Sequence, residues 1–438
     1  MLQTLANAFK VPDLRKKMLF TALIIVLFRL GAAIPVPFTA ITEAGIIDPD
    51  GSNFMNYLSM MTGDAFNYGT LFAMSITPYI NSSIIIQLLT VAIPALENLA
   101  KEGEEGKKKI NYMTRFGAVI IALLQSTAYF FYLRQCGYIA TAADGTAYAG
   151  FSAVLEALTI IFVLTAGAMI LMWMGESINK RGIGNGISMI LFAGIVSRIP
   201  TQVYSLYYYF THGGIYYLFA PLALLIMIAL VVFIVWMDNS ERRIPVAYAK
   251  RVVGRKMYGG QATHMPIKVN MSGVMPIIFA SSILSLPPTL EMFIDVESGS
   301  GWEKFFNLFN TTNWFYGIVY FVLIIFFAYF YSAIQYNPIE MANNLRKNSG
   351  SIPGIRPGKP TSDYIAKVLS RITLLGAILV SVVAILPIVF SQITTLCGHP
   401  MNISLGGTSV IILVGVALET VRQLESQMMM RHYKGFLD

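Results

Sequence analysis

Four histidines, His212, His264, His399 and His432, lie on different connections and show no metal-ligand spacing, which leaves a zinc or di-metal site without support. The stretch 350–361, GSIPGIRPGKPT, has the glycines and lysine of a phosphate loop, yet Pro360 stands where Ser or Thr should follow Gly-Lys, and no βα unit surrounds it. ATP hydrolysis is not expected. A second glycine-rich stretch, RGIGNGIS at 181–188, links two apolar runs without the strand that a dinucleotide fingerprint requires, so it reads as a tight turn. Ion-coupled transport needs ionisable groups held near the middle of the bilayer. Here Arg29 lies inside the first apolar run, and Glu156 and Glu419 lie near the ends of others, where pairing or snorkelling accounts for them. No set of acid, base, nucleophile and metal emerges, so the chain reads as a non-enzyme with no cofactor.

What stands out instead is polarity without charge. Residues 75–89, SITPYINSSIIIQLL, carry Pro78, Asn81, Ser82, Ser83 and Gln87 inside an apolar run, and 270–288, NMSGVMPIIFASSILSLPP, carry Ser272, Pro276, Ser281 and Ser282. Unpaired amides and hydroxyls in hydrocarbon cost several kcal/mol each, so such helices line a cavity or pack on one another through small and polar residues. Just before the first of them, residues 54–69, FMNYLSMMTGDAFNYG, are too short and too polar to span. They form either an outer loop or a short helix dipping inward, and an inward dip requires a protein-lined cavity to receive it.

The elements that position these features follow from composition. The 438 residues are 55% hydrophobic and 12% charged with net charge +8, and mean hydropathy is +0.62; soluble domains carry about 25% charge. Apolar runs recur at 18–38, 71–96, 110–133, 151–175, 183–204, 215–237, 271–290, 314–335, 369–391 and 404–424. These are continuous stretches near the ~20 residues that a bilayer requires, not the short alternating strands of a barrel. The first run is read as retained, with no small-residue cleavage site after it.

Lysine and arginine collect on alternate connections, including Arg15, Lys16, Lys17, Lys107, Lys108, Lys109, Lys180, Arg181, Arg346, Lys347, Arg422 and Arg431. By the positive-inside rule these connections and both termini are cytosolic. The opposite connections carry Glu43, Asp48, Asp50, Asp64, Asp144, Glu291, Asp295, Glu297 and Glu303. Only Arg29, Arg134, Arg198 and Lys304 break the pattern. Cys136 and Cys397 both fall on the acidic side, where a disulfide is chemically possible; two free thiols are the better reading, since nothing brings them together. The two longest basic connections, 238–270 and 336–367, exceed what joining neighbouring helices requires. Their charge suits anionic lipid, RNA or a docked protein.

Several motifs in order, PDLRKK at 12–17, FRLGAAIPVP at 28–37, ITPYINSSIIIQLL at 76–89, GIGNGISMILFAGI at 182–195, YAKRVVGRKMYGGQATHMPIKVNMSGVMP at 248–276, IPGIRPGKPT at 352–361 and GGTSVIILVGV at 406–416, closely resemble the SecY/Sec61-alpha family of protein-conducting channel subunits from end to end. One departure is Phe38, where the family commonly has glycine after IPxP. The resemblance implies an all-α membrane protein of ten transmembrane helices in two pseudo-symmetric halves, 1–205 and 206–438, around a central pore with a plug and a lateral gate. It implies a pore ring of Ile76, Ile80, Ile187, Leu191, Ile278 and Ile412, aliphatic at i, i+4 within the first two pairs. It implies a plug at 54–69 that includes Met61, Thr62 and Gly63, and a lateral gate carrying Asn81, Gln87, Asn270, Ser281 and Ser282, with polar contact across the seam from Asn81, Gln87 and Asn270.

The same resemblance implies a bacterial plasma (inner) membrane location, with Arg255, Lys256 and Arg356 docking the motor ATPase SecA or a ribosome. SecE and SecG are the implied partner subunits. Signal sequences and nascent polypeptides would pass through the pore, or sideways into the lipid bilayer. Hydropathy alone also permits a secondary transporter for a small solute, which would take up its substrate as the isolated chain in liposomes.

Overall fold

The computed structural model describes residues 8–41, 59, 62–139, 151–211, 216–248, 251–253, 256–258, 262–291, 301–309, 313–396 and 407–434. Each of the ten apolar runs falls on helix. In chain order these are α1 (Pro12–Gly31), α2 (Thr77–Ala92) with the short α3 (Pro94–Lys101), α4 (Glu104–Gln135), α5 (Phe151–Arg181), α6 (Gly186–Thr211) and α7 (Tyr216–Asn239). The chain continues with α8 (Met275–Leu284), α9 (Leu286–Glu291), the short α10 (Gly301–Leu308), α11 (Trp314–Gln335), α12 (Pro338–Lys347), α13 (Lys359–Leu396) and α14 (Gly407–Lys434).

Among the described residues seven helices are long and apolar enough to cross a membrane, and α2 with α3 makes an eighth, broken by a 102° bend. Helix α1 is long enough but carries Asp13, Arg15, Lys16, Lys17 and Arg29, and α8 has only 10 residues. The structure is therefore consistent with ten spans. α1, α2, α3, α8 and α12 have proline in their first turn, where its fixed φ and missing N–H carry no penalty. Asn313 and Asn337 cap α11 and α12, their Oδ1 atoms accepting from the N–H of Phe315 at 3.3 Å and of Ile339 at 3.1 Å.

The connections are not helical throughout. In 238–270, β1 (Glu241–Tyr248) pairs antiparallel with β4 (Ala262–Lys268), and β2 (Arg251–Val253) pairs with β3 (Lys256–Tyr258) between them. From the second long connection β5 (Gly350–Ser351) adds to β1, giving the order β4-β1-β5. The two basic connections thus share one small sheet. Ile244, Val246 and Ile267 from it are buried with Ala342, Leu345, Ile352, Ile365 and Leu369. The expected boundary at 205/206 falls inside α6, which keeps its helix to Thr211 because Pro200 does not break it.

The largest apolar cluster draws on α1, α2, α5, α6, α7, α8, α11, α13 and α14. A second joins the 62–74 segment to α4 and α5. Lipid-facing character shows on α7, where Leu218, Leu225, Ile228, Val232 and Trp236 are exposed. Cys136 is an exposed free thiol; Cys397 lies outside the described residues.

Phe38 takes φ +64°, a left-handed conformation that disfavours any residue with a Cβ by about 1–2 kcal/mol. That accounts for glycine being the commoner choice in the resembling family. Phe38→Gly is therefore expected to raise the thermal unfolding midpoint of the solubilised protein by about 2 °C. A lower midpoint would mean that the Phe38 ring contacts outweigh the backbone strain.

Candidate functional site

The aliphatic residues singled out above come from four helices and fall in or against the largest apolar cluster. Ile76 is the N-cap of α2, and its carbonyl accepts from the Ile80 N–H at 3.1 Å, which starts the helix and sets both side chains on one face. Ile187 and Leu191 lie in the first turns of α6, held by Asn185 Oδ1 accepting from Ile187 N–H at 3.1 Å. Ile278 comes from α8 and Ile412 from α14. Ile76, Ile80, Leu191, Ile278 and Ile412 are 1, 5, 0, 5 and 1% exposed and belong to one cluster, with Ile187 half-buried against it. Ala65, from the segment before α2, belongs to the same cluster.

That segment runs inward. Thr62, Ala65 and Phe66 are buried, and the Tyr129 hydroxyl of α4 donates to the Phe66 carbonyl at 2.7 Å while the two rings meet tilted at 53°, centroids 4.7 Å apart. A tight turn begins it. Thr62 Oγ1 donates to Ser59 O at 3.0 Å and accepts from Phe66 N–H at 3.1 Å, and Ser59 Oγ donates to Asp64 Oδ1 at 2.9 Å. Gly63 and Asp64 both take positive φ, +64° and +71°. Arg29 Nη1, from the last turn of α1, donates to Gly63 O at 3.1 Å and to Ser197 Oγ of α6 at 2.9 Å. Arg198 Nε lies 3.0 Å from Asp64 Oδ2. Met61 lies outside the described residues.

Sequence reasoning named Thr62 and Gly63 but missed the neighbouring Asp64–Arg198 pair and the Arg29–Ser197 bond that fixes the arginine on Gly63 O. One signal was there to find them: Arg29 and Arg198 were two of the four cations outside the charge pattern.

Helices α2 and α8 pack against each other. Near the inward segment the seam widens into a cavity of ≈ 40 Å³ lined by Thr62, Thr77, Gln125, Tyr129, Ser285 and Thr289, room for about three waters. Asn81 lies one turn below Thr77 on the same face of α2 and is buried, with neither Oδ1 nor Nδ2 hydrogen-bonded among the described residues. Ser281 is buried and Ser282 half-buried on the Ile278 face of α8, and the Ser281 hydroxyl donates to Ile278 O at 3.0 Å.

Among the described residues the expected polar contact across the seam is not made. Gln87 Nε2 instead donates to Ser83 Oγ at 3.1 Å on its own helix, and Asn270 Nδ2 donates to Asp238 Oδ1 at 3.3 Å, at the end of α7.

At the basic end Arg356 is exposed in the turn between β5 and α13, its carbonyl accepting from Thr361 Oγ1 at 2.8 Å. Lys256 lies on β3, and Arg255 lies outside the described residues. The glycine-rich 181–188 stretch is a turn, as read from the sequence. Thr21 Oγ1 of α1 and Gln423 Oε1 of α14 accept from its Ile183 and Gly184 N–H groups at 3.1 and 2.7 Å.

The SecY family profile matches residues 70–421. The chain is 43% identical to the protein translocase subunit SecY of Mycobacterium bovis over 457 residues, covering 100% of both. It resembles a solved SecY structure, described for a plug domain that stabilises the closed state of the translocation channel and maintains a membrane seal, with TM-score 0.64 at 18% identity over 94% of this chain and 92% of that one. It also resembles canine Sec61 from a ribosome-channel complex of the endoplasmic reticulum, with TM-score 0.60 at 18% identity over the same shares of the two chains.

A buried amide without partners costs about 1–3 kcal/mol. Asn81→Leu, close in volume, is therefore expected to raise the stability of the folded chain by about 1 kcal/mol in denaturant unfolding. Destabilisation would show that the amide has a hydrating partner.

Proposed function

The chain belongs to the SecY family, and on that premise we infer that it is the central, pore-forming subunit of a channel that passes unfolded polypeptides through a membrane. It is a multi-pass membrane protein and not an enzyme. One observation carries the detailed reading: aliphatic residues from four helices, far apart in sequence, are buried in one cluster together with Ala65.

Ile76, Ile80, Ile187, Leu191, Ile278 and Ile412 form the pore ring. A ring of branched apolar side chains fits round any extended chain without holding it tightly, and when empty it is too narrow and apolar for water to fill, which stops ions. The 54–69 segment is the plug that closes one side of the ring; the burial of Thr62, Ala65 and Phe66 supports this. Helices α2 and α8 form the lateral gate, with Asn81, Gln87, Asn270, Ser281 and Ser282 along it. The unpartnered Asn81 supports a seam that an incoming apolar helix can part at little cost, so hydrophobicity is tested by partitioning into lipid. α6 and α14, one from each of the halves 1–205 and 206–438, pack against each other.

The basic end faces the cytosol, both termini included, in a bacterial plasma membrane. Arg255, Lys256 and Arg356 dock SecA or a translating ribosome, the motor supplying the energy. SecE braces the two halves and SecG associates with them. Signal sequences and nascent chains are the ligands of pore and gate.

Ile80→Asn, Ile278→Asn and Ile412→Asn are each expected to wet the ring. In reconstituted channels idle ion conductance should rise about tenfold, the factor that ~1.4 kcal/mol of lost dewetting penalty confers. Unchanged conductance in all three would remove the ring assignment. Arg356→Glu is expected to cut motor-driven import of a preprotein into vesicles about tenfold, with folding stability unchanged within about 0.5 kcal/mol. Equal loss of both would make Arg356 a structural residue.

A further inference from the structure

We propose that Asp64, Arg198 and Arg29 form a latch that pins the plug to α1 and α6, and that this latch sets how readily the idle channel opens. The proposal rests on the reading of 54–69 as the plug and names what holds it.

Two bonds of different kind act on adjacent residues. Arg29 Nη1 holds the Gly63 carbonyl at 3.1 Å and is itself fixed by Ser197 Oγ at 2.9 Å. Arg198 Nε lies 3.0 Å from Asp64 Oδ2, and Asp64 Oδ1 is turned by the Ser59 hydroxyl at 2.9 Å. The plug backbone is pressed close. A Cβ on Gly63 would lie 2.7 Å from Ser197 Oγ and 2.8 Å from Arg29 Nη1, at a φ of +64°. Among the described residues every partner of Gly63 and Asp64 belongs to α1, α6 or the plug itself, so the latch leaves the α2–α8 seam free to part separately.

The pair is poised to let go. The side chains of Arg198 and Asp64 are only 11 and 22% exposed. The Arg198 Nε–H is not aimed along the short contact, and its Nη1 is buried with no hydrogen-bond partner among the described residues. An ion pair removed from water with its hydrogen bonds incomplete gains little over its own desolvation, whereas removing one partner strands the other. Release that moves Asp64 and lets water reach Arg198 is therefore easy, while loss of Asp64 alone leaves a guanidinium unpaired in the closed state. The charge pattern agrees, because Arg29 and Arg198 lie within apolar runs, outside the basic connections that the positive-inside rule accounts for.

The test uses the full-length chain, purified with the subunits it carries from its native membrane and fused into planar bilayers. Asp64→Asn should raise idle conductance about fivefold. Arg198→Gln should raise it less, since Asp64 keeps Ser59. The exchange Asp64→Arg with Arg198→Asp should return it to within about twofold of the starting chain. Silent single variants would overturn the latch, and so would a leak that the exchange does not reverse.

A second arm separates the latch from the plug. With Cys136→Ser and Cys397→Ser in place, Asp64→Cys and Arg198→Cys are bridged by a cleavable dithiol-reactive reagent. The plug reading predicts that bridging stops preprotein transport and cleavage restores it. Blocked transport with silent single variants would overturn the latch and leave the plug standing; transport through the bridged channel would end both.

Discussion

A path through hydrocarbon has to be shut by side chains that gain nothing from water when they meet. Between membrane helices the contact energy is dispersion, because lipid tails are as apolar as leucine, so the seal at the proposed ring depends on packing and on a neck too narrow and greasy for water to fill. Ile76, Ile80, Leu191, Ile278 and Ile412, all buried in the largest apolar cluster, meet that condition with side chains that carry no hydrogen-bonding group.

A seal without directional bonds cannot by itself hold a particular segment against it, and the plug region supplies the direction. There the contacts are hydrogen bonds and one ion pair, made by Arg29, Arg198 and Tyr129 to Gly63, Asp64 and Phe66, with Ser197 accepting from Arg29. Close backbone approach adds to this. A Cβ on Gly167 of α5 would sit 1.9 Å from the Leu71 carbonyl, so the chain between plug and α2 lies directly on α5. Dispersion closes the middle of the path, and polar geometry chooses what covers it.

Much of this was legible. The apolar helices follow from runs near bilayer length, whereas the segment before α2, too polar to span, was open between an outer loop and an inward dip until the burial of Thr62, Ala65 and Phe66 decided it. The sheet was legible in principle: Ile244 and Val246 are buried and Arg243 and Pro245 exposed, a two-residue alternation along β1 that its basic residues masked. The seam contacts were misjudged because an amide on a helix takes the nearest acceptor or donor, as Gln87 does with Ser83. Convergence of the ring residues could not be read from spacing, which reports one helix at a time; the resemblance supplied it. Arg29 and Ser197 are 168 positions apart, so the charge pattern marked an arginine as anomalous without naming what it holds.

The basic end is built the other way, for stiffness. β1 leaves α7 within two residues and β4 leads back toward α8 within seven, so the hairpin is a lever mounted between the last turn of α7 and the first of α8. Its base is tied. Asp238 accepts from Asn270 and pairs with Arg422 Nη1 at 3.2 Å, while Arg422 Nη2 donates to the Asp238 carbonyl at 2.9 Å and to Asn239 Oδ1 at 2.8 Å. β5 fastens the second connection to the same sheet. A load on either connection is therefore shared by both and delivered to α8, the helix that carries Ile278 and one side of the α2–α8 seam. The plug, tied to α1 and α6, does not lie on that path. A load at the basic end would thus bear on the seam, whereas the plug is held by Arg29 on Gly63 and by the Asp64–Arg198 pair.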